Sequence, residues 1–210
     1  MVAAHARLHA IVDVETAAHA GWTAADLAQA FLDGGATLIQ IRAKTLPSGP
    51  FLDLCDAVVK RAESFGASIV VNDRADLALM SGAAGVHVGQ EDLSPFDARR
   101  LLGPKAIVGY STHTVEQIDR ATREPASYIA VGPVFGTMTK DTGYEAVGLD
   151  LVRSAVSRAQ DRPIVAIGGV TLDRAGSVIA AGAAAVAVIG DLLSTGKPEQ
   201  RVRSYLEALA

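Results

Sequence analysis

PIVAIGGVTLDRAGSVIAAGAAAVAVIGDLL, residues 163–193, decides the fold. Two short runs rich in Ile, Val and Ala, Pro163–Ile167 and Ala185–Ile189, flank Leu172–Ala180, where apolar residues recur at helical spacing. Each run is apolar at consecutive positions, the pattern of a parallel strand covered on both faces. A helix joining two such strands is a βαβ crossover. Thr171 stands where an N-cap belongs and Gly182 where the helix should end, while the strands finish in Gly168-Gly169 and Gly190.

The same unit repeats along the chain. Six further runs read as strands: Leu8–Val14, Thr37–Ile41, Ser68–Val71, Gly85–Val88, Ala106–Gly109 and Tyr128–Val131. Helical spacing recurs between them, as in Trp22–Leu32, Phe51–Ser64, Pro95–Leu102 and Leu149–Ala159, with Thr23 and Ser94 as caps and glycines at 34–35, 66, 82 and 103 as stops. Eight units in 210 residues leave about 26 residues each, enough for one short strand, three turns of helix and two loops. The α/β fold expected is therefore a single (β/α)8 TIM barrel over residues 1–210. An open doubly wound sheet is the rival, but no GxGxxG follows the first strand.

Composition narrows the function classes. Lys and Arg number 19 against 23 Asp and Glu, a net charge of −4, which offers no basic field for nucleic acid. Cys55 is the only cysteine, so no disulfide or cysteine-based metal cluster can form within one chain, as suits a reducing cytoplasm. No apolar run reaches the ~18 residues of a membrane span, and MVAAHARLHAIVDVE lacks the pattern of an export signal. The expected protein is cytoplasmic, with neither membrane nor nucleic acid as partner.

Barrel active sites lie where the strands end. Those ends carry Gln40, Arg42 and Lys44 after the second run, Asn72 and Asp73 after the third, Gln90, Glu91 and Asp92 after the fourth, and Ser111 and His113 after the fifth. Thr137, Thr139 and Lys140 follow the sixth. Gln40 and Arg42 share a strand face about 7 Å apart, so both can point into the barrel mouth. Arg42 there needs an anion, either a phosphate or pyrophosphate gathered with Lys44 and Lys140, or an internal partner in Asp73 or Asp92. Asp73 and Asp92 either hold Mg²⁺ beside such a phosphate or cap the helices that follow them. Gly168-Gly169 and Gly190 either close tight turns or leave backbone N–H groups bare at two helix starts as a phosphate cradle, and their pairing on adjacent strands favours the cradle. His87 reads as a core histidine, Cys55 as a helix-core residue, and His113 as a candidate acid or base. The long loops Ala43–Pro50 and Gly136–Val147 are candidate lids.

Taken in order, IQIRAK (39–44), VNDRADLAL (71–79), GVHVGQED (85–92), VGYSTHT (108–114), VGPVFGTMTK (131–140), AIGGVT (166–171) and AGAAAVAVIGDLL (181–193) resemble the thiamin phosphate synthase family. The resemblance implies a transferase that joins hydroxymethyl-aminopyrimidine pyrophosphate to hydroxyethyl-thiazole phosphate. It puts Gln40, Arg42, Lys44, Asn72 and Ser111 around the pyrimidine pyrophosphate, with Lys140 on the pyrophosphate. Thr137, Thr139, Gly169, Ile189 and Gly190 fall around the thiazole phosphate, Ile41, Ala43 and Met138 are further substrate-binding positions, and Asp73 and Asp92 fall on Mg²⁺. Arg42, Lys44, Lys140 and Ser111 are the catalytic set that it implies, in a homodimer. The implied chemistry is dissociative and needs no protein nucleophile. Gly190 departs from the family's usual Ser, and Ala43 from a frequent acidic residue. Three alternatives are a paralogous thiazole tautomerase, a catalytically silent phosphate-binding barrel, and a different sugar-phosphate barrel enzyme, which leaves Thr137-Met138-Thr139-Lys140 unexplained. The intact Gln90-Glu91-Asp92 segment and Pro133 after Gly132 argue against the tautomerase.

Overall fold

The computed structural model describes residues 6–136 and 145–210. Its parallel strands β1 (Leu8–Asp13), β2 (Leu38–Arg42), β3 (Ser68–Asn72), β4 (Gly85–Val88), β5 (Ile107–Thr112), β6 (Tyr128–Val131), β7 (Ile164–Ile167) and β8 (Ala185–Val188) pair in sequence order, and β8 closes on β1. Helices α1 (Val14–His19), α2 (Ala24–Asp33), α3 (Ser48–Glu63), α4 (Ala75–Met80), α5 (Pro95–Leu102), α6 (Val115–Ala121), α7 (Gly148–Arg158), α8 (Leu172–Ala180) and α9 (Pro198–Ala208) alternate with them. A 3-10 turn, Gly190–Leu193, follows β8. This is the (β/α)8 barrel that the strand runs predict.

Consecutive apolar residues in each run serve two different cores. Ile39, Ile41, Val71, Val86, Val88 and Val108 face outward and pack with Phe31, Phe51 and Val58 of the surrounding helices. Burying each such side chain stabilises the fold by about 1.5–3 kcal/mol. A smaller inner cluster, Ile11, Tyr128, Ala130, Val165, Ala185 and Ala187, fills the barrel beside β6, β7 and β8. On β1 to β4 the buried interior also carries polar side chains, His9, Asp13, Gln40, Asn72 and His87. The barrel interior is therefore more polar towards β1–β4 and more apolar towards β6–β8.

Several boundaries depart from the sequence reading. β5 runs on to Thr112, so Ser111 sits on the strand rather than after it. α3 begins at Ser48, leaving a loop of residues 43–47; Pro50 is tolerated because the first turn of a helix has no intrahelical acceptor for its N–H groups. β1 stops at Asp13, whose carboxylate caps α1 by accepting from Thr16 N–H at 2.9 Å. Thr23 and Ser94 cap α2 and α5 as expected. Thr171 makes no side-chain cap to α8; Leu172 N–H donates to Asp191 Oδ2 at 3.2 Å instead.

Candidate active site

A cavity of about 690 Å³ opens where the strands end, lined from β1, β2, β3, β4, β5, β7 and β8. Arg42 ends β2 directly opposite Asp13 on β1, and the two side chains form an ion pair. The internal partner of Arg42, which the sequence offered as Asp73 or Asp92 in place of a phosphate, is instead Asp13. Burial alone would raise the Asp13 carboxyl, yet hydrogen bonds from Thr16 and Arg42 outweigh it and hold the group below the usual carboxylate range. Arg42 remains partly exposed to the cavity, with fork donors available to an anion.

Lys44 pairs with Asp73, which occupies the left-handed region at φ 63. That strained conformation is held by the Asp73 N–H donating to the His87 carbonyl at 2.8 Å. Asp92 Oδ2 accepts from Gly89 N–H at 2.7 Å and interacts with Asp73. Burial, then the Asp73 carboxylate, raises the Asp92 carboxyl against the opposing pull of Gly89 N–H and Lys44. Neither aspartate caps a helix: Ser94 caps α5, and the residue before α4 is Arg74. Two carboxylates disfavoured as a charged pair suit a hard divalent cation. Among the described residues no group of three or more His, Cys, Asp or Glu side chains is arranged for a metal, so a cation here would complete its shell with water and phosphate oxygens.

The opposite wall is backbone. Gly168 and Gly169 take φ values of 96 and 63, and a Cβ on Gly169 would lie 2.5 Å from the Gly136 carbonyl, so only glycine fits this turn. Behind it Asp191 Oδ2 accepts from Tyr205 O–H at 2.6 Å, Arg201 Nη2 at 2.8 Å and Leu172 N–H. This carboxylate ties the turn after β8, the start of α8 and helix α9 together. The second helix start expected after Gly190 is the 3-10 turn, and one of the N–H groups at the start of α8 already has Asp191 as its acceptor.

Gln40, Arg42, Lys44, Asn72, Asp73, Asp92, Ser111, Gly169, Ile189 and Gly190 all line the cavity, as do His87 and His113. Ile41 and Ala43 do not: Ile41 points outward into the core, and Ala43 packs against it. Thr137, Met138, Thr139 and Lys140, with most of the predicted lid at 136–147, lie outside the described residues. His113 Nδ1–H donates to the Gly132 carbonyl, and its backbone N–H donates to Gln117 Oε1 at 2.7 Å. Cys55 is buried in α3, and burial pushes its thiol up to about 12. The sequence reading missed Asp13, Asp191 and the partners of His87. Asp13 carried a usable signal, an Asp at a strand end three residues before Thr16.

The model of the thiamine monophosphate synthase family matches residues 8–192, most of the barrel and every cavity strand. The chain belongs to that family. It is 43% identical over 205 residues to a thiamine-phosphate synthase of Koribacter versatilis, covering 97% of this chain and 95% of the relative. A synthase of Roseiflexus castenholzii is 40% identical over 185 residues, 88% of this chain and 81% of its own. The solved thiamine phosphate pyrophosphorylase from Pyrococcus furiosus superposes with a TM-score of 0.87 at 27% identity, covering 98% and 96% of the two chains. Membership of the synthase family makes the chain an enzyme, a transferase of thiamine biosynthesis. No described helix is long and apolar enough to cross a membrane.

Proposed function

We propose that the cavity condenses hydroxymethyl-aminopyrimidine pyrophosphate with hydroxyethyl-thiazole phosphate to give thiamin phosphate and pyrophosphate. The observation that carries this reading is the pair of anion-binding walls across one cavity: Arg42, Lys44, Asn72 and Ser111 on one side, and the Gly168-Gly169 turn and Gly190 on the other. Two substrates, each with a phosphate group, fit such a site. The cytoplasm is the proposed compartment, in keeping with a single buried cysteine.

In the proposed reaction the bond from the hydroxymethyl carbon to the pyrophosphate breaks first. The aminopyrimidine ring carries the positive charge, and the thiazole nitrogen captures the carbon. Arg42, Lys44 and Lys140 stabilise the negative charge growing on the leaving group, and Ser111 hydrogen-bonds to it. Gln40 and Asn72 orient the pyrimidine half. Gly169, Ile189 and Gly190, with Thr137, Met138 and Thr139, hold the thiazole phosphate so that its ring nitrogen faces the reacting carbon. Asp73 and Asp92 would hold Mg²⁺, which neutralises pyrophosphate charge when bound. No nucleophilic side chain is needed, and Cys55 is buried away from the cavity.

The test is a coupling assay with both substrates, with and without Mg²⁺, following thiamin phosphate through its oxidised fluorescent product. Mg²⁺-dependent product is expected. Folded protein that yields none would overturn the reading in favour of the tautomerase or the silent barrel.

Asp191 offers a separate check on the glycine wall. Asp191→Ala is expected to cost about 2 kcal/mol of stability, since it strips Tyr205 O–H and Arg201 of their shared acceptor. It should raise the KM for thiazole phosphate roughly tenfold and lower kcat less, because the turn is loosened while the leaving-group wall is untouched. An effect confined to the pyrimidine substrate would misassign the wall.

A further inference from the structure

Beneath Ser111, three buried side chains meet inside the barrel: His9 from β1, Tyr128 from β6 and His87 from β4. Tyr128 Oη lies 2.9 Å from His87 Nδ1, and His87 Nε2 lies 2.8 Å from Ser111 Oγ. His9 stands edge-on to the Tyr128 ring, with centroids 5.0 Å apart and planes at 90°. Burial, with the nearby His87, lowers His9 to about 3, so His9 packs as a neutral ring. Gly109 makes the meeting of Tyr128 and His87 possible. A Cβ there would sit 2.3 Å from the Tyr128 hydroxyl and 2.4 Å from His87 Nδ1.

The proton positions follow from counting acceptors. Burial pushes the Tyr128 phenol above its ordinary value, so it keeps its proton. Among the described residues, its hydrogen-bond partner is His87 Nδ1. Were Nδ1 protonated, the phenol hydrogen would be buried with no acceptor, which folded proteins avoid. Tyr128 O–H therefore donates to Nδ1, and the imidazole proton rests on Nε2. Nε2–H then donates to Ser111 Oγ. The hydroxyl hydrogen of Ser111 meets no acceptor among the described residues, and Ser111 lines the cavity.

We propose that Tyr128 and His87 are positioning residues that set the Ser111 hydroxyl as a hydrogen-bond donor to the pyrophosphate leaving group. This rests on the reading of Ser111 as a contact of that group. The opposite polarity, with Ser111 donating to His87, would turn oxygen lone pairs toward an anion. No proton is transferred: as the carbon–oxygen bond breaks, both its electrons go to the leaving oxygen, and a donor already aimed there gains strength with the growing charge. A donor whose direction is fixed before substrate arrives needs no reorganisation during the reaction.

The test has two arms. In the first, protein with ¹⁵N-labelled histidine and no substrate is examined by long-range ¹H–¹⁵N correlation, with His87 assigned by its loss in His87→Gln. The expected spectrum has an unprotonated Nδ1 and a protonated Nε2, with that bias lost in Tyr128→Phe. A protonated Nδ1 in the wild type, as the other tautomer or as imidazolium, overturns the proposal whatever the substrates are. In the second, Tyr128→Phe should lower kcat about tenfold while both KM values stay within about twofold. His87→Gln, whose amide N–H can reach Ser111 in place of Nε2–H, should keep more activity than His87→Asn. Unchanged kcat in folded Tyr128→Phe, or equal losses in the two His87 variants, would reduce these residues to packing and overturn the proposal. Wild-type protein that makes no thiamin phosphate would instead overturn the proposed reaction, and the tautomer result would stand apart from it.

Discussion

Asp13→Ala is expected to lower the thermal unfolding midpoint by about 10 °C at neutral pH and to remove most turnover. Asp13 is 4% exposed and its partner Arg42 13%, so truncation leaves a guanidinium in the barrel mouth without its anion. Breaking one side of such a buried pair costs about 3–5 kcal/mol, and a domain of this size loses about 2–4 °C per kcal/mol. The carboxylate also caps α1 through Thr16 N–H and accepts from Thr16 O–H at 2.6 Å, so the first βα turn loosens as well. Asp13→Asn keeps an oxygen for Thr16 and loses only the charge, and should fall between the two. The pH dependence has a definite sign. Folded Asp13 titrates below its unfolded value, so its contribution is full above about pH 4 and fades as the pH falls through the lower folded value. Calorimetry of both proteins should show the gap closing on acidification. A wild-type midpoint matched by Asp13→Ala at pH 7 would mean that Arg42 needs no internal partner.

The barrel was readable because its strands are consecutive apolar runs serving two cores, and because glycines end the helices between them. The cavity wall was readable from strand geometry: polar residues at strand ends on the inward-facing positions point into the mouth. Arg42's partner was not, since Asp13 lies 29 residues away and meets it only through the register of β1 on β2. The Tyr128–His87–Ser111 contacts need three strands aligned and a missing side chain at Gly109, none of which spacing reveals. Tyr128 read as part of an apolar run, and its hydroxyl acquires meaning only from what stands across the barrel. Thr171 had the right residue type for a cap, yet its side chain makes no cap bond, and Asp191 from another turn accepts from Leu172 N–H at the same helix start.

Asp92→Asn should reduce turnover by about a hundredfold or more in the proposed reaction without harming the fold. An amide oxygen can still accept from Gly89 N–H, which keeps the turn after β4, while removal of one charge relieves the repulsion between Asp92 and Asp73. In Mg²⁺-free buffer the variant should therefore unfold at the wild-type temperature or slightly above it. Added Mg²⁺ should raise the wild-type midpoint, because a cation that binds only the folded pair stabilises it by mass action, and should leave the variant unmoved. The two readouts separate a charge role from a packing role. A residue that merely shaped the turn would lose stability when replaced and would show no link to Mg²⁺. Near-normal turnover of Asp92→Asn at low Mg²⁺ would remove Asp92 from the metal site, leaving Asp73 bound to Lys44 as an internal ion pair with no cation to hold.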